Sequence, residues 1–156
     1  MSRRSLGPFL AKSFATSISH WVTPLAELPR TARAPQDPPP LPYLREQPWA
    51  YDIALEIELN GAVVARSNTR HLYWSIAQQI AHLTVNGASL RTGDLLATGT
   101  ISGPEREERG SLIELSWNGE EPIELPDGST RTFLEDGDEV VLRGEPLGEV
   151  RGRITP

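Results

Sequence analysis

The stretch that decides the fold class is Tyr51-Asp-Ile-Ala-Leu-Glu-Ile-Glu-Leu-Asn-Gly-Ala-Val-Val-Ala-Arg66. Isoleucine or leucine occupies every second position from residue 53 to residue 59. This alternation is typical of a strand with one buried face. Asn60-Gly61 follows, and a second apolar run comes after it. Because a type I′ turn needs positive φ at both central residues, Asn-Gly is its typical sequence. The stretch therefore predicts an antiparallel β-hairpin.

The segment after the hairpin predicts the one good helix, from Thr69 to Val85. Leucine and isoleucine recur at intervals of four from residue 72 to residue 80, which is the spacing of a buried helical stripe. Asn68 or Thr69 can cap its start. Asn86-Gly87 predicts a left-handed cap at its end.

The remaining segments predict short strands and turns. Residues 9–22 alternate like a strand, and Lys12 and Thr16 share a face whether the segment is a strand or a helix. Residues 35–43 carry five prolines and predict an extended, polyproline-like connection. After residue 88, Asn-Gly and Asp-Gly pairs are spaced like the turns of a meander. One helix among seven or eight strands predicts a mainly β, α+β domain, a β-roll or distorted barrel, that spans residues 1–156.

Composition excludes several classes of function. The chain has 156 residues, 23% charged and 38% hydrophobic, which is typical of one globular domain. Its net charge of −6, with no basic cluster, argues against a nucleic-acid partner. It has no cysteine, so neither disulfides nor a thiolate site can form. No apolar run is long enough to span a membrane, so we expect no membrane partner.

A stretch rich in hydroxyl groups is the candidate functional motif. It reads Gly93-Asp-Leu-Leu-Ala-Thr-Gly-Thr-Ile-Ser-Gly-Pro-Glu105, with Thr98, Thr100 and Ser102 at alternate positions before a Gly-Pro break. If this is a strand end, it presents hydroxyl and backbone N–H groups that suit a carboxylate or carbonyl ligand. The alternative is a strand with a polar face that ends in a turn.

Five blocks, in this order and spacing, resemble the fumarylacetoacetase family, whose members hydrolyse a carbon–carbon bond. The blocks are Leu6–Thr16, Leu72–Gln79, Gly93–Glu105, Ser111–Gly119 and Phe133–Val140. The resemblance covers about residues 6–145 and implies the C-terminal portion of the family's catalytic domain. An N-terminal domain and the first half of the catalytic domain are expected to be missing from this chain.

The resemblance implies hydrolysis of 4-fumarylacetoacetate to fumarate and acetoacetate, the last step of tyrosine and phenylalanine breakdown. It implies Ca²⁺ and Mg²⁺ as cofactors, with Lys12 and Thr16 near the second ion. Lys12 is also expected to stabilise negative charge during the reaction. Thr100 is expected to contact the carboxylate end of the substrate. Glu114 is expected to orient a histidine that deprotonates the attacking water, and this histidine lies in the missing region.

Local substitutes for the missing groups are weak candidates. His20, His71 and His82 match no catalytic position of the family. Glu56 and Glu58 share a strand face and could bind a hard cation, but the family's Glu-x-Glu pair precedes the lysine block. A solvated hairpin face is the ordinary interpretation of this pair.

Two alternatives remain open for the function. The chain could belong to another diketo-acid hydrolase or decarboxylase of the same superfamily. It could instead be a non-catalytic fragment that assists, stabilises or complements a partner polypeptide. The candidate partners are the missing N-terminal half and a homodimer mate. Residues 1–24 contain arginines and serines without acids, as transit peptides do. Because Gly7-Pro8 interrupts any helix and the resemblance begins at Leu6, we expect no removable segment and a cytoplasmic protein.

Overall fold

The computed structural model of the chain describes residues 15–45 and 47–156. Most of its regular structure is β. In chain order the strands of this part are β1 (Arg30–Ala32), β2 (Trp49–Tyr51), β3 (Ala54–Leu59), β4 (Ala62–Asn68), β5 (Ile123–Glu124), β6 (Thr130–Arg131), β7 (Glu139–Gly144) and β8 (Gly148–Arg153). The helices are α1 (Ile76–Thr84) and the single-turn α2 (Leu112–Leu115). Short 3₁₀ turns cover Leu25–Glu27, Thr69–His71 and Arg106–Glu108.

A four-stranded antiparallel sheet organises the fold, with the strand order β4-β3-β7-β8. Two further antiparallel pairs, β1-β2 and β5-β6, stand apart from it. This arrangement confirms the predicted α+β class with one main helix. The described strands form open sheets and no closed barrel.

The predicted hairpin is confirmed. β3 and β4 pair from Ala54↔Asn68 to Leu59↔Ala62, with an irregularity in register between Ile57 and Glu58. Asn60 and Gly61 have φ values of 51° and 83°, as a type I′ turn requires. The turns predicted at Gly119, Gly128 and Gly137 also have positive φ.

The core lies between the large sheet and the segments that cover it. Leu59 of β3 and Val141 of β7 are each 1% exposed. Leu112 and Leu115 of α2 line one crevice together with apolar side chains of β3, β4 and β7. Hydrophobic burial therefore seats α2 on the apolar face of the sheet.

The helix is shorter than predicted because Ser75, and not Asn68 or Thr69, caps it. Ser75 Oγ accepts the backbone N–H of Gln78, and the Gln78 side chain accepts the Ser75 N–H, which completes a capping box. Asn68 instead caps the 3₁₀ turn by accepting the N–H of Arg70. Gly87 has φ 91°, as the left-handed end of the helix requires. No helix within the described ranges is both long and apolar enough to cross a membrane.

Three strand predictions are wrong. Residues 15–22 form no strand, and residues 9–14 of that predicted strand lie outside the described part. Residues 95–103 are irregular, and Ser111–Gly119 contains α2 and a turn where a strand was expected. Alternation in sequence gives a strand only where a neighbouring strand pairs with its N–H and C=O groups, and these segments have no such neighbour among the described residues. The proline-rich residues 35–43 contain no helix or strand, as predicted.

Candidate active site

Glu114 is the centre of the candidate site. It lies half-buried in α2, and its Oε2 accepts two hydroxyl hydrogen bonds. Ser102 Oγ donates over 2.8 Å and Ser111 Oγ over 2.7 Å. The backbone carbonyl of Glu114 accepts Arg109 Nη1 at 3.0 Å. Glu114 and Leu115 belong to one helical turn, in a part of the chain for which the sequence predicted only short strands and turns.

Ser111 and Glu114 have the spacing of a capping box, Ser-x-x-Glu, but not its bonds. In a capping box the serine oxygen accepts a backbone N–H, and Ser111 makes no such bond. Its hydroxyl donates to the carboxylate instead. Sequence reasoning missed both serine partners of Glu114, although the Ser-x-x-Glu spacing marked one of them.

A glycine brings the hydroxyl-rich segment up to this carboxylate. A Cβ atom on Gly110 would lie 2.5 Å from the carbonyl oxygen of Ile101 and 2.9 Å from Thr100 Cγ2. The Gly110 N–H donates to Ser102 Oγ at 3.0 Å. The missing side chain therefore permits the close approach that places Thr100 and Ser102 beside Ser111. Thr100 is exposed.

The Gly103-Pro104 turn is held by Glu108. The Gly103 N–H donates to the Glu108 carbonyl at 3.0 Å, and the Glu105 N–H donates to Glu108 Oε2 at 3.2 Å. His71 Nε2 lies 3.4 Å from Glu108 Oε1. These contacts fix the loop that carries Thr100 and Ser102 onto the end of β4.

An open depression lies beside Glu114. Arg109 covers one edge, with its guanidinium carbon 5.3 Å from the centre of the Trp117 ring. Ile113, Asn118 and Glu120 complete the lining. Trp117 is 57% exposed, an unusual exposure for the largest side chain. The lining thus combines one aromatic ring with three charged side chains, one aliphatic side chain and one amide.

The three histidines of the chain have other contacts. The His20 ring lies 5.1 Å from that of Trp21, and His82 Nδ1 is 2.9 Å from Tyr43 Oη. His71 lies against Glu108. That none of the three belongs to the catalytic set stays a prediction.

The Glu56 and Glu58 pair is occupied by arginines. Arg143 Nη1 lies 2.5 Å from Glu58 Oε2 and 3.3 Å from Glu56 Oε1. Arg66 Nη2 adds a contact of 3.1 Å to Glu56. A face crossed by two guanidinium groups is an ion-pair network, so the pair does not offer free cation ligands.

Two predicted site residues cannot be placed together with Glu114. Lys12 lies outside the described residues. Thr16 is exposed in an irregular segment. Within the described part of the chain, no three His, Asp, Glu or Cys side chains are grouped as metal ligands.

Comparison with known proteins now identifies the family. The family model for the fumarylacetoacetate hydrolase C-terminal region matches residues 1–155. The chain belongs to the fumarylacetoacetate hydrolase family. It is 54% identical over 153 residues to the fumarylacetoacetase of Arabidopsis thaliana and 51% identical to that of Homo sapiens. The Oryza sativa protein is 52% identical over 168 residues.

The family resemblance drawn from the five sequence blocks is thereby confirmed. The alignments cover 92% of this chain but only 36% of the Arabidopsis and human fumarylacetoacetases. For the rice protein the shares are 97% and 39%. The chain therefore spans little more than a third of the length of these relatives.

Proposed function

We propose that this chain supplies one part of an active site that hydrolyses 4-fumarylacetoacetate to fumarate and acetoacetate, in the breakdown of tyrosine and phenylalanine. Lys12, Thr16, Thr100 and Glu114 are its contributions to that site. The observation that supports the proposal best is the carboxylate of Glu114, held by two hydroxyls beside an open depression. It occurs in a chain that is 54% identical to a fumarylacetoacetase.

The proposed chemistry needs a base, a nucleophilic water and stabilised negative charge. A histidine from outside this chain removes a proton from water, and the water oxygen bonds to the ketone carbon of the fumaryl group, which becomes the second carboxylate of fumarate. The bond from this carbon to the acetoacetate carbon breaks, and the leaving carbanion takes the proton that the histidine removed from water. Glu114 orients the histidine and stabilises its positive form. Lys12 stabilises the charge on the leaving group, and Thr100 binds a substrate carboxylate.

The described residues do not fit a complete site for Ca²⁺ or Mg²⁺. Such ions take about six oxygen ligands, and Thr16 offers one neutral hydroxyl in an exposed segment. We propose that Lys12 and Thr16 border such an ion and that its carboxylate ligands come from residues outside this chain. The isolated chain should then bind either ion only weakly, as calorimetric titration would show.

The remaining site residues should come from the region that the alignments leave unmatched, either in a partner polypeptide or in a longer chain. A homodimer of the completed assembly also fits the proposal. We place the assembly in the cytoplasm.

Complementation tests the proposal directly. The unmatched N-terminal region of the Arabidopsis fumarylacetoacetase is expressed separately and mixed with this chain, and loss of fumarylacetoacetate is followed. We expect hydrolysis by the mixture and very little by either polypeptide alone. Turnover near roughly 1 s⁻¹, an ordinary enzyme value, by the isolated chain would contradict the divided site. A mixture that binds but never hydrolyses would refute the proposed activity.

A further inference from the structure

We propose that Ser102 and Ser111 are positioning residues that together fix the carboxylate of Glu114 for its histidine partner. The inference rests on the proposed function and adds two residues that act through Glu114 without contacting substrate. Both hydroxyls lie on one oxygen, Oε2, at 2.8 and 2.7 Å. The proposal assigns Oε1, which accepts no hydrogen bond from a described residue, to the N–H group of the histidine.

The direction of the Ser102 hydrogen bond is fixed by its neighbour. The Gly110 N–H can only donate, and it donates to Ser102 Oγ at 3.0 Å. This bond uses a lone pair of the hydroxyl, so the single hydroxyl proton is free to point at Glu114. A continuous chain therefore runs from the Gly110 amide through Ser102 to the carboxylate.

Ser111 donates to the same oxygen of Glu114 from the start of α2. It stands immediately before α2, three residues ahead of Glu114. The ordinary role of a serine at this place is to accept a backbone N–H and stabilise the helix. Because its hydroxyl donates to Oε2 instead, this bond holds the side chain of Glu114 and not the end of the helix.

Two donors on one oxygen restrict a flexible side chain. A glutamate has three rotatable bonds, and ordering it for catalysis costs conformational entropy in every turnover. Hydrogen bonds from two separate segments, the Ser102 loop and the start of α2, fix the position of the Glu114 carboxylate before the histidine binds to it. The segments are themselves held together by the close approach of Gly110 to Ile101.

The test is a double-mutant cycle in the complemented enzyme, at saturating partner polypeptide. Ser102→Ala and Ser111→Ala should each lower kcat about tenfold, the usual effect of losing one hydrogen bond to a charged group. KM should change less than about twofold, since neither serine is proposed to contact substrate. Ser111→Thr, which keeps the hydroxyl, should recover most of the lost kcat.

The decisive arm repeats both serine substitutions in a Glu114→Gln background. If the serines act through the carboxylate, each should cost less than about twofold there, because its target charge is already gone. Ser129→Ala is the matched control, since Ser129 Oγ also donates to a carboxylate, that of Asp127, at 2.7 Å in the β5-β6 turn. It should leave kcat unchanged.

The outcomes separate this inference from the proposed function. Equal losses in the parent and Glu114→Gln backgrounds, or serine variants with parental kcat, would overturn the positioning role while leaving the activity intact. Absence of hydrolysis in every complemented mixture would refute the function itself. For the isolated chain, Ser102→Ala should also speed hydrogen exchange of the Gly110 amide while the thermal midpoint stays within a few degrees. Unchanged exchange of that amide would contradict the proposed chain of hydrogen bonds.

Discussion

Arg131 and Asp138 form a salt bridge through two pairs of atoms: Arg131 Nε lies 2.9 Å from Asp138 Oδ2, and Nη2 lies 3.0 Å from Oδ1. The Asp138 side chain is 2% exposed. Asn60 Nδ2 donates to the same carboxylate at 2.7 Å, and the Glu135 N–H donates at 2.8 Å. One carboxylate thereby joins the hairpin turn, β6 and the residue before β7. These contacts stabilise the large sheet at the end of β7 that lies opposite Gly144.

Replacing this carboxylate should destabilise the fold. In Asp138→Asn the amide keeps the shape but leaves Arg131 without its buried charge partner. Breaking a buried pair on one side costs about 3 kcal/mol. Denaturant unfolding would measure the loss. Asp136→Asn, at an exposed aspartate of the same turn, should change stability by less than about 0.5 kcal/mol. Equal stability of the two variants would contradict the role given to Asp138.

The same carboxylate should make stability depend on acid pH. Hydrogen bonds from Arg131, with help from Asn60, lower the pKa of Asp138 from 3.8 to about 2, against the opposing effect of burial. A depressed pKa in the folded state stabilises the fold above pH 3.8, and this contribution is lost as the pH falls toward about 2. We expect the free energy of unfolding of the parent to fall between about pH 4 and pH 2. In Asp138→Asn this part of the slope should be absent, so parallel pH curves for the two proteins would contradict the assignment.

Gln78 ties α1 to the proline-rich connection. It is 2% exposed, and its Nε2 donates to Gln36 Oε1 at 2.6 Å. Its Oε1 accepts the Ser75 N–H at 2.9 Å. Gln78→Met keeps the length of the side chain but leaves that N–H without its acceptor, so a loss of about 1–3 kcal/mol is expected. Gln79→Met, where a more exposed amide donates to the Trp74 carbonyl, should cost much less. Thermal unfolding of both variants makes the comparison.

How much of the local structure can be predicted from the sequence depends on where the residues lie with which each segment pairs or packs. The hairpin from Ala54 to Asn68 was predictable because its turn and its pairing lie within one short stretch. Thr98 to Ser102 alternates like a strand, but strand formation needs a neighbour that local sequence cannot supply. Around Glu114, the apolar pair Leu112 and Leu115 at helical spacing outweighs the alternation that predicted a strand. Glu114 was singled out from the family resemblance, and its place in the catalytic site stays a prediction, while its contacts with Ser102 and Ser111 became visible only in the tertiary fold.

The charge carried by Lys12 should matter for the chemistry and not for the fold. Lys12 is the only lysine of the chain, and it stands in an apolar context, Phe9-Leu-Ala-Lys-Ser-Phe14. In the complemented enzyme, Lys12→Met should lower kcat about a hundredfold, as loss of one charge-stabilising group does.

Glu114→Gln should lower kcat by a similar factor, because the amide keeps the shape but cannot stabilise a protonated histidine. Glu107→Gln, at an exposed glutamate on the neighbouring 3₁₀ turn, is the matched control and should retain parental turnover. Lys12→Arg tests whether the positive charge alone is needed. If it is, kcat should fall less in Lys12→Arg than in Lys12→Met. Parental kcat in Glu114→Gln would remove this residue from the site, and parental kcat in Lys12→Met would remove the proposed charge stabilisation.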